Sequence, residues 1–236
     1  MAVSKKKQDE QRVEKEWEAI DQAVVKSGNF LGKYQNQLLI GIAVVVVIVC
    51  GYLGYDHFIK QPKTLEGQTA LFRGEQYFEQ GQDSLALYGD GKGYLGFEAL
   101  AESYSSTKAG DLAKAYAGIA NARLGKYDKA ISYLNGYNSG DALFTYQAKV
   151  TLGDCYANKG ELDKAVGLFM DAAKGADNEL YSPLYYQKAA MIYREQKNHD
   201  KVIEICTLIK NNYMNSAQAG EADKYIEEAK LLKGGK

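Results

Sequence analysis

Residues 152–173 read LGDCYANKGELDKAVGLFMDAA, and the spacing of their apolar and small residues decides the fold. These residues recur at helical spacing on both sides of a central glycine: Leu152, Gly153, Tyr156, Gly160, Ala165, Phe169 and Ala172. The pattern predicts two antiparallel helices joined by a tight turn. Gly153 and Ala165 are small where the helices approach closely, larger residues fill the gaps, and Gly160 ends the first helix.

The same pattern recurs before and after this stretch. LGKYDKAISYL at 124–134 aligns without gaps with KGELDKAVGLF at 159–169, so that Gly125 and Ala130 correspond to Gly160 and Ala165. Upstream, Gly118 takes the place of Gly153. In a third copy, around KNHDKVIEICT at 197–207, Tyr193 is kept but Lys197 stands where the glycine is expected. The first two copies begin 35 residues apart, and an interval of this length is typical of an array of helix pairs.

These residues resemble the tetratricopeptide repeat, and the match is sharpest over about residues 113–210. The resemblance implies an all-α fold in which stacked helix pairs form a solenoid, with repeats near 111–144, 146–179 and 183–215. It also implies a partner-binding groove on the first helix of each pair. The positions carried over are Ala115, Ile119, Arg123, Gln147, Val150, Asp154, Asn158, Gln187, Met191 and Arg194. Such a wall suits an extended peptide or a partner helix, or is simply an ordinary polar surface.

The flanking segments predict further helices. ALFRGEQYFEQG at 70–81 is typical of a first helix, and 97–117 reads as the end of a helix, a turn and the entry into the first repeat. At the other end, Asn215 or Ser216 begins a terminal helix that caps the array over 216–233. The repeat domain is therefore expected to cover 70–236.

An apolar run near the N-terminus predicts a membrane-spanning helix. LLIGIAVVVVIVCGYL at 38–53 has no charged residue, and the uncharged stretch between Lys33 and Asp56 covers 34–55. Twenty-two helical residues span about 33 Å, enough for a hydrocarbon core of about 30 Å. A mixed-charge segment of more than thirty residues precedes the run, which argues against a cleaved signal peptide. The remaining boundaries are a tail at 1–33 and a linker at 56–69.

The tail bears on the orientation of this helix. Lysines and arginines close to the run do not decide it, whereas the further basic residues of the tail favour a cytoplasmic N-terminus. Val13, Trp17, Ile20 and Val24 form one apolar stripe at helical spacing. The stripe predicts a helix that lies on the membrane or docks a partner helix, or else a solvated lead-in with partial helicity.

The composition and the motifs give little sign of chemistry. Net charge is −1, with no basic stripe, so nucleic acid is not an expected partner. Gly91, Gly93 and Gly96 spell G-x-G-x-x-G, but the short segment before them does not predict a dinucleotide-binding unit, and a flexible connection is the preferred interpretation. Two histidines and three widely spaced cysteines form no metal or catalytic motif. No cofactor, no metal and no small-molecule substrate is expected.

The order of tail, single anchor and repeat domain resembles the single-pass ancillary subunit of the bacterial Sec translocon. That resemblance implies a non-enzymatic scaffold of the inner membrane, with the repeat domain in the periplasm and with the translocon and chaperones as protein partners. Two alternatives stay open. One is a repeat subunit of another envelope machine, such as cell division or outer-membrane assembly. The other is a regulatory subunit that binds nucleotide through the glycine-rich loop.

Overall fold

The computed structural model describes Trp17 and residues 36–37, 39–138 and 142–234. These residues are helical with connecting turns and contain no strand, which confirms the all-α prediction for this part of the chain. The chain divides into two compact units between Ile59 and Lys60. Apart from Trp17, the predicted tail lies outside the described residues, and so does its apolar stripe.

The first unit contains the apolar run. It belongs to a helix that runs over Leu39–Glu79, and this helix is the one stretch of the described residues long and apolar enough to cross a membrane. Its most apolar window has a mean hydropathy of 2.2, and none of that window is buried by the rest of the protein. A π-helical turn, Asp56–Lys60, follows the run. The segment 56–69, for which the sequence predicts a linker, is therefore helical throughout.

The second unit is built from ten helices, counted within the described residues. In chain order they are α1 (Gln61–Glu79), α2 (Asp83–Tyr88), α3 (Phe97–Ser103), α4 (Lys108–Arg123), α5 (Tyr127–Asn135), α6 (Ala142–Asn158), α7 (Leu162–Ala176), α8 (Ser182–Glu195), α9 (His199–Asn212) and α10 (Ala217–Gly234). Most of the packing is between helices adjacent in the chain. Local packing of this kind is what a series of helix pairs requires.

The core of this unit consists of three clusters of buried apolar residues. One joins α1 to α4 around Leu87 and Phe97, and the largest joins α6 to α10 around Phe169, Tyr185 and Ile205. A smaller cluster between them contains Ile119, Leu134, Ala148 and Leu152. Each fully buried large side chain contributes roughly 1.5–3 kcal/mol to stability through removal of apolar surface from water.

One turn geometry recurs four times and ends the first helix of four hairpins. In each turn a residue with positive φ donates to the carbonyl three residues earlier, and the next amide donates to the carbonyl five residues earlier. This is the Schellman arrangement, which satisfies carbonyls left open at a helix end. The longer bonds are Gln82 to Tyr77, Lys126 to Asn121, Glu161 to Tyr156 and Asn198 to Tyr193, at 2.8, 2.8, 2.9 and 2.8 Å.

The residue with positive φ is glycine in three of the four turns. Gly81, Gly125 and Gly160 have φ of 71°, 71° and 80°, and Lys197 in the last turn has φ of 58°. Glycine adopts this conformation without steric cost, whereas a residue with a Cβ atom does so at a cost of about 1–2 kcal/mol. The third repeat therefore keeps the turn although it lacks the residue that favours it.

Side chains cap the starts of three helices within the described residues. Thr107 accepts a hydrogen bond from the Gly110 amide at 3.2 Å and begins α4. Asn198 accepts from the Lys201 amide at 3.2 Å and begins α9. Of the two residues considered for the start of the terminal helix, Ser216 accepts from the amide of Ala219. A cap of this type contributes about 1 kcal/mol.

Candidate functional site

Two of the glycines assigned to repeat packing lie where the two helices of a hairpin are in contact. A Cβ atom on Gly118 would come within 2.5 Å of Leu134 Cγ, and one on Gly153 within 2.6 Å of Phe169 Cε1. Each glycine is paired with a large side chain sixteen residues later, so a missing Cβ makes room for a ring or an isobutyl group. The alanines at the close contacts, Ala130, Ala165 and Ala172, are fully buried, Leu152 is buried, and Tyr156 and Tyr193 are half-buried.

Three of the ten predicted groove residues are not accessible. Ala115 is completely buried, Ile119 packs in the middle cluster, and Val150 belongs to the cluster of α6 to α10. The assignment of these three to a binding wall is therefore corrected, because neighbouring helices cover the faces on which they lie. A partner would contact none of them without displacing the core.

Three of the polar groove residues are bonded to side chains of neighbouring helices that were not groove candidates. Lys188 donates to Asp154 at 2.8 Å, the Gln187 amide donates to Glu221 at 3.1 Å, and Arg194 donates to Glu228 at 2.6 Å. In each pair the two residues are 34 positions apart. The bonds join α6 to α8 and α8 to α10. They tie together the first helices of successive hairpins and the terminal helix.

These bonds contribute more to register than to stability. The lysine and arginine side chains are 36% and 46% exposed, and exposed ion pairs are worth about 0–1 kcal/mol. The spacing nevertheless fixes which turn of one helix lies beside which turn of the next. A partner that uses this wall has to compete with contacts already made inside the chain.

The other groove candidates are also placed. Arg123 lies 4.0 Å from the centroid of the Phe78 ring and pairs with Asp83 at 3.3 Å, which connects the end of α4 to the first hairpin. The Asn158 amide donates to the Asp154 carbonyl within α6. Gln147 is exposed and Met191 is half-buried.

The glycine-rich loop between α2 and α3 is held by one buried carboxylate. Asp90 accepts hydrogen bonds from the amides of Lys92 and Tyr94 at 2.8 and 3.2 Å and from the Tyr77 hydroxyl at 2.9 Å. It also pairs with Arg73 at 2.8 Å, and its side chain is only 4% exposed. The pKa of Asp90 lies below its usual value, mainly because its carboxylate accepts a hydrogen bond from the Lys92 amide. Its other partners lower the pKa further, whereas burial acts in the opposite direction.

The surroundings of this loop differ from those of a dinucleotide site. In such a site the glycines follow a strand and open a long helix. Here the glycines join two helices, and the helix that follows has seven residues. The positive φ angles at Gly91, Gly93 and Gly96 serve a tight connection that Asp90 fastens to α1.

The two cysteines of the repeat region are core residues. Cys155 and Cys206 are buried, and burial raises the pKa of each thiol to about 11. At neutral pH both are protonated, and a protonated thiol is a poor nucleophile and a poor metal ligand. Among the described residues, no group of three His, Cys, Asp or Glu side chains is arranged to hold a metal ion.

An open cleft of about 350 Å³ lies on the side of the second helices. Leu152, Tyr156 and Leu168 provide its apolar lining, while Asn135 at the end of α5 and Asp171 on α7 contribute polar groups. Lys164 also lines it, 4.9 Å above the Tyr156 ring and paired with Glu161 at 2.6 Å. None of the predicted groove residues lines this cleft, whereas Leu152 and Tyr156 were assigned to repeat packing.

Sequence reasoning also missed the second helix of the first hairpin, α2. Tyr77, Gly81 and Ala86 have the same spacing as Tyr156, Gly160 and Ala165, and they form a turn of the same geometry. The spacing from glycine to alanine was the available signal. It was hidden because α2 ends after six residues and the glycine-rich loop follows it at once.

The described residues define an all-helical protein with recurring hairpins and one uncovered apolar helix. Within the part of the chain that the structure describes, the surface carries paired polar side chains and an open cleft lined in part by apolar residues. Comparison of the sequence with models of protein families finds no match, and comparison with characterised proteins also finds none.

Proposed function

We propose that this chain is a membrane-anchored scaffold whose hairpin array binds other proteins. The observation that carries the proposal is the combination, in one chain, of an apolar helix that no other part of the described protein covers and a series of like hairpins. An apolar surface of that length is unfavourable in water and favourable in a bilayer. Helix-pair arrays provide extended surfaces for protein partners.

The resemblance of the hairpins to the tetratricopeptide repeat supports an array that works as a solenoid. The order of the segments supports an accessory role beside the Sec translocon or in envelope protein biogenesis at a bacterial inner membrane. In this arrangement the N-terminal tail is cytoplasmic and the repeat domain is periplasmic. The expected partners are proteins of the translocon or chaperone type, and the chain acts by bringing them together and not by catalysis.

Crosslinking in native membranes followed by mass spectrometry tests the scaffold proposal. The full chain is compared with a control that ends after residue 69 and so keeps the tail and the apolar helix. We expect a reproducible set of proteins to be captured by the full chain and not by the control. If the two sets are the same, or if the full chain captures no reproducible partner, the proposal is rejected.

The orientation has its own test. A reporter that is active only in the periplasm and one that is active only in the cytoplasm are each fused to the C-terminus. We expect activity from the periplasmic reporter alone. Activity from the cytoplasmic reporter would reverse the proposed topology and leave the scaffold role to be judged by crosslinking.

A further inference from the structure

We propose that the cleft beside α7 is a docking site for an extended segment of a partner protein, which inserts one large apolar side chain and pairs a neighbouring basic residue with Asp171. This inference rests on the proposed scaffold function and locates its contact surface. The argument depends on the shape of the cleft, on a glycine within it and on the charges at its rim.

The shape follows from the unequal lengths of two second helices. Helix α5 has nine residues and ends at Asn135, whereas α7 has fifteen residues and is therefore the longer of the two. Between them lie Leu168, which is half-buried, and the buried Leu152. The volume of about 350 Å³ lies at the lower end of the range for ligand sites in proteins, and it accommodates one aromatic or branched side chain with part of its backbone.

Gly167 lines this cleft and adds no side chain to it. It lies in the middle of α7, is exposed, and a Cβ atom added there would meet nothing within 4 Å. Glycine at such a position costs about 1 kcal/mol relative to alanine, and helix packing does not require it. The corresponding positions of the neighbouring hairpins hold Ser132 and Glu204. Among these three second helices α7 alone has a glycine at this position, and Gly167 is one of the residues that line the cleft.

The charges at the rim indicate the chemistry of the partner. Lys164 is neutralised by Glu161 and lies over the ring of Tyr156. Asp171 is exposed and makes no ion pair with any described residue. The two residues are seven positions apart, which places them about 10 Å apart along α7. The uncompensated charge is therefore negative, and it favours a basic residue beside the inserted apolar side chain.

The wall of first helices is a less suitable surface for the same segment. Its polar side chains on α6, α8 and α10 are already joined to one another by the bonds between residues 34 positions apart. Docking there would have to replace those contacts. In the cleft an incoming side chain covers apolar surface that is now exposed to water, and no existing ion pair has to break.

The test is fluorescence anisotropy with the full chain in detergent micelles, with empty micelles as the baseline. The probes are three labelled peptides with the same glycine–serine flanks and a central Phe-Arg, Phe-Glu or Ser-Arg pair. We expect the Phe-Arg peptide to bind most tightly. Gly167→Trp, which fills the cleft, is expected to weaken its binding by about tenfold or more. Asp171→Asn is expected to abolish the preference for Phe-Arg over Phe-Glu.

Two variants serve as matched controls. Gly220→Trp makes the same change at another exposed helical glycine where an added Cβ atom meets nothing, so it should leave binding unchanged. Gly167→Ala should retain binding within about twofold and stabilise α7. Binding that survives Gly167→Trp overturns the proposal. So does loss of binding in both tryptophan variants, or failure of the wild-type chain to bind the Phe-Arg peptide.

The crosslinking experiment separates this inference from the scaffold proposal. Partners captured in membranes together with peptide binding insensitive to Gly167→Trp reject the cleft alone. Absence of reproducible partners rejects the scaffold, whatever the peptides do.

Discussion

The hairpins α6–α7 and α8–α9 have the same turn geometry but different residues at its key positions. In the first, Gly160 occupies the left-handed position and Gly153 lies against Phe169. In the second, Lys197 occupies that position, and the residues corresponding to Gly153 and Phe169 are Ala190 and Cys206. The glycine and the phenylalanine of the first pair are replaced by two small residues in the second. The turn geometry is therefore kept through its backbone bonds although both residues of the pair differ.

The largest expected difference between the hairpins is at the large member of each pair. Phe169→Ala should cost about 3–5 kcal/mol of unfolding free energy, because a buried ring is replaced by a cavity beside Gly153. Cys206→Ala removes one sulfur atom and should cost about 1 kcal/mol. Urea unfolding of the full chain in mild detergent, followed by circular dichroism, measures both. Equal losses of unfolding free energy would show that the size of the removed side chain does not determine the cost.

At the small residue of the pair, adding an atom to Gly153 should cost more than removing one from Ala190. Gly153→Ala places a Cβ atom against the Phe169 ring and should cost about 1–3 kcal/mol through overpacking. Ala190→Gly should cost only about 1 kcal/mol, the usual helix penalty of glycine. Adding Phe169→Leu to Gly153→Ala should recover part of the loss relative to the sum of the single changes, as a double-mutant cycle would report. Strict additivity would contradict the contact.

Substitutions in the two turns should have smaller effects on stability, and these should be of opposite sign. Gly160→Ala should destabilise by about 1 kcal/mol, whereas Lys197→Gly should stabilise by about 1 kcal/mol, because only glycine adopts positive φ without cost. The midpoint of urea unfolding should therefore fall in one variant and rise in the other. Lys197→Ala is the control for the lysine side chain itself and should change stability little. A loss of stability in Lys197→Gly would mean that the side chain of Lys197 supports the turn.

The smallest expected difference concerns the two thiols, one in each hairpin. Since burial raises the pKa of both Cys155 and Cys206 to about 11, both should react alike. At pH 8.5 an ordinary thiol is about half ionised, and these should react on the order of 100-fold more slowly with iodoacetamide. Both rates should rise as the pH approaches 11. Mass spectrometry of the Cys50→Ser variant reads the two sites separately, and faster labelling of Cys206 would reveal a looser third hairpin.

The positions of the hairpins were predictable because turn chemistry is local. In three of the four turns the glycine and the alanine five residues later lie within one short segment, so the pattern at 152–173 predicted where α6 ends and α7 begins. The same spacing is present at Gly81 and Ala86, but only the helix before Gly81 was predicted, because α2 is short and an irregular loop follows it. The loop depends on Asp90, whose partners Arg73 and Tyr77 precede it by more than ten residues.

The accessible surface was much less predictable. Ala115, Ile119 and Val150 were assigned to a groove by correspondence with a family, yet neighbouring helices bury them. Polar candidates such as Asp154 and Arg194 turned out to have partners 34 residues away. Burial and pairing of this kind depend on which helices come together, and a pattern within one helix does not contain that information.

The sequence by itself determined the helical class, the turn positions and the apolar helix, because each depends on residues a few positions apart. The tertiary structure alone decided which polar side chains are already paired and where apolar surface stays open. Helix α5 is six residues shorter than α7, and the cleft beside Gly167 lies between them. The difference in length opens a cleft only when α6 is packed between the two helices. The stretch at 152–173 therefore specifies one hairpin, while its neighbours determine what that hairpin exposes.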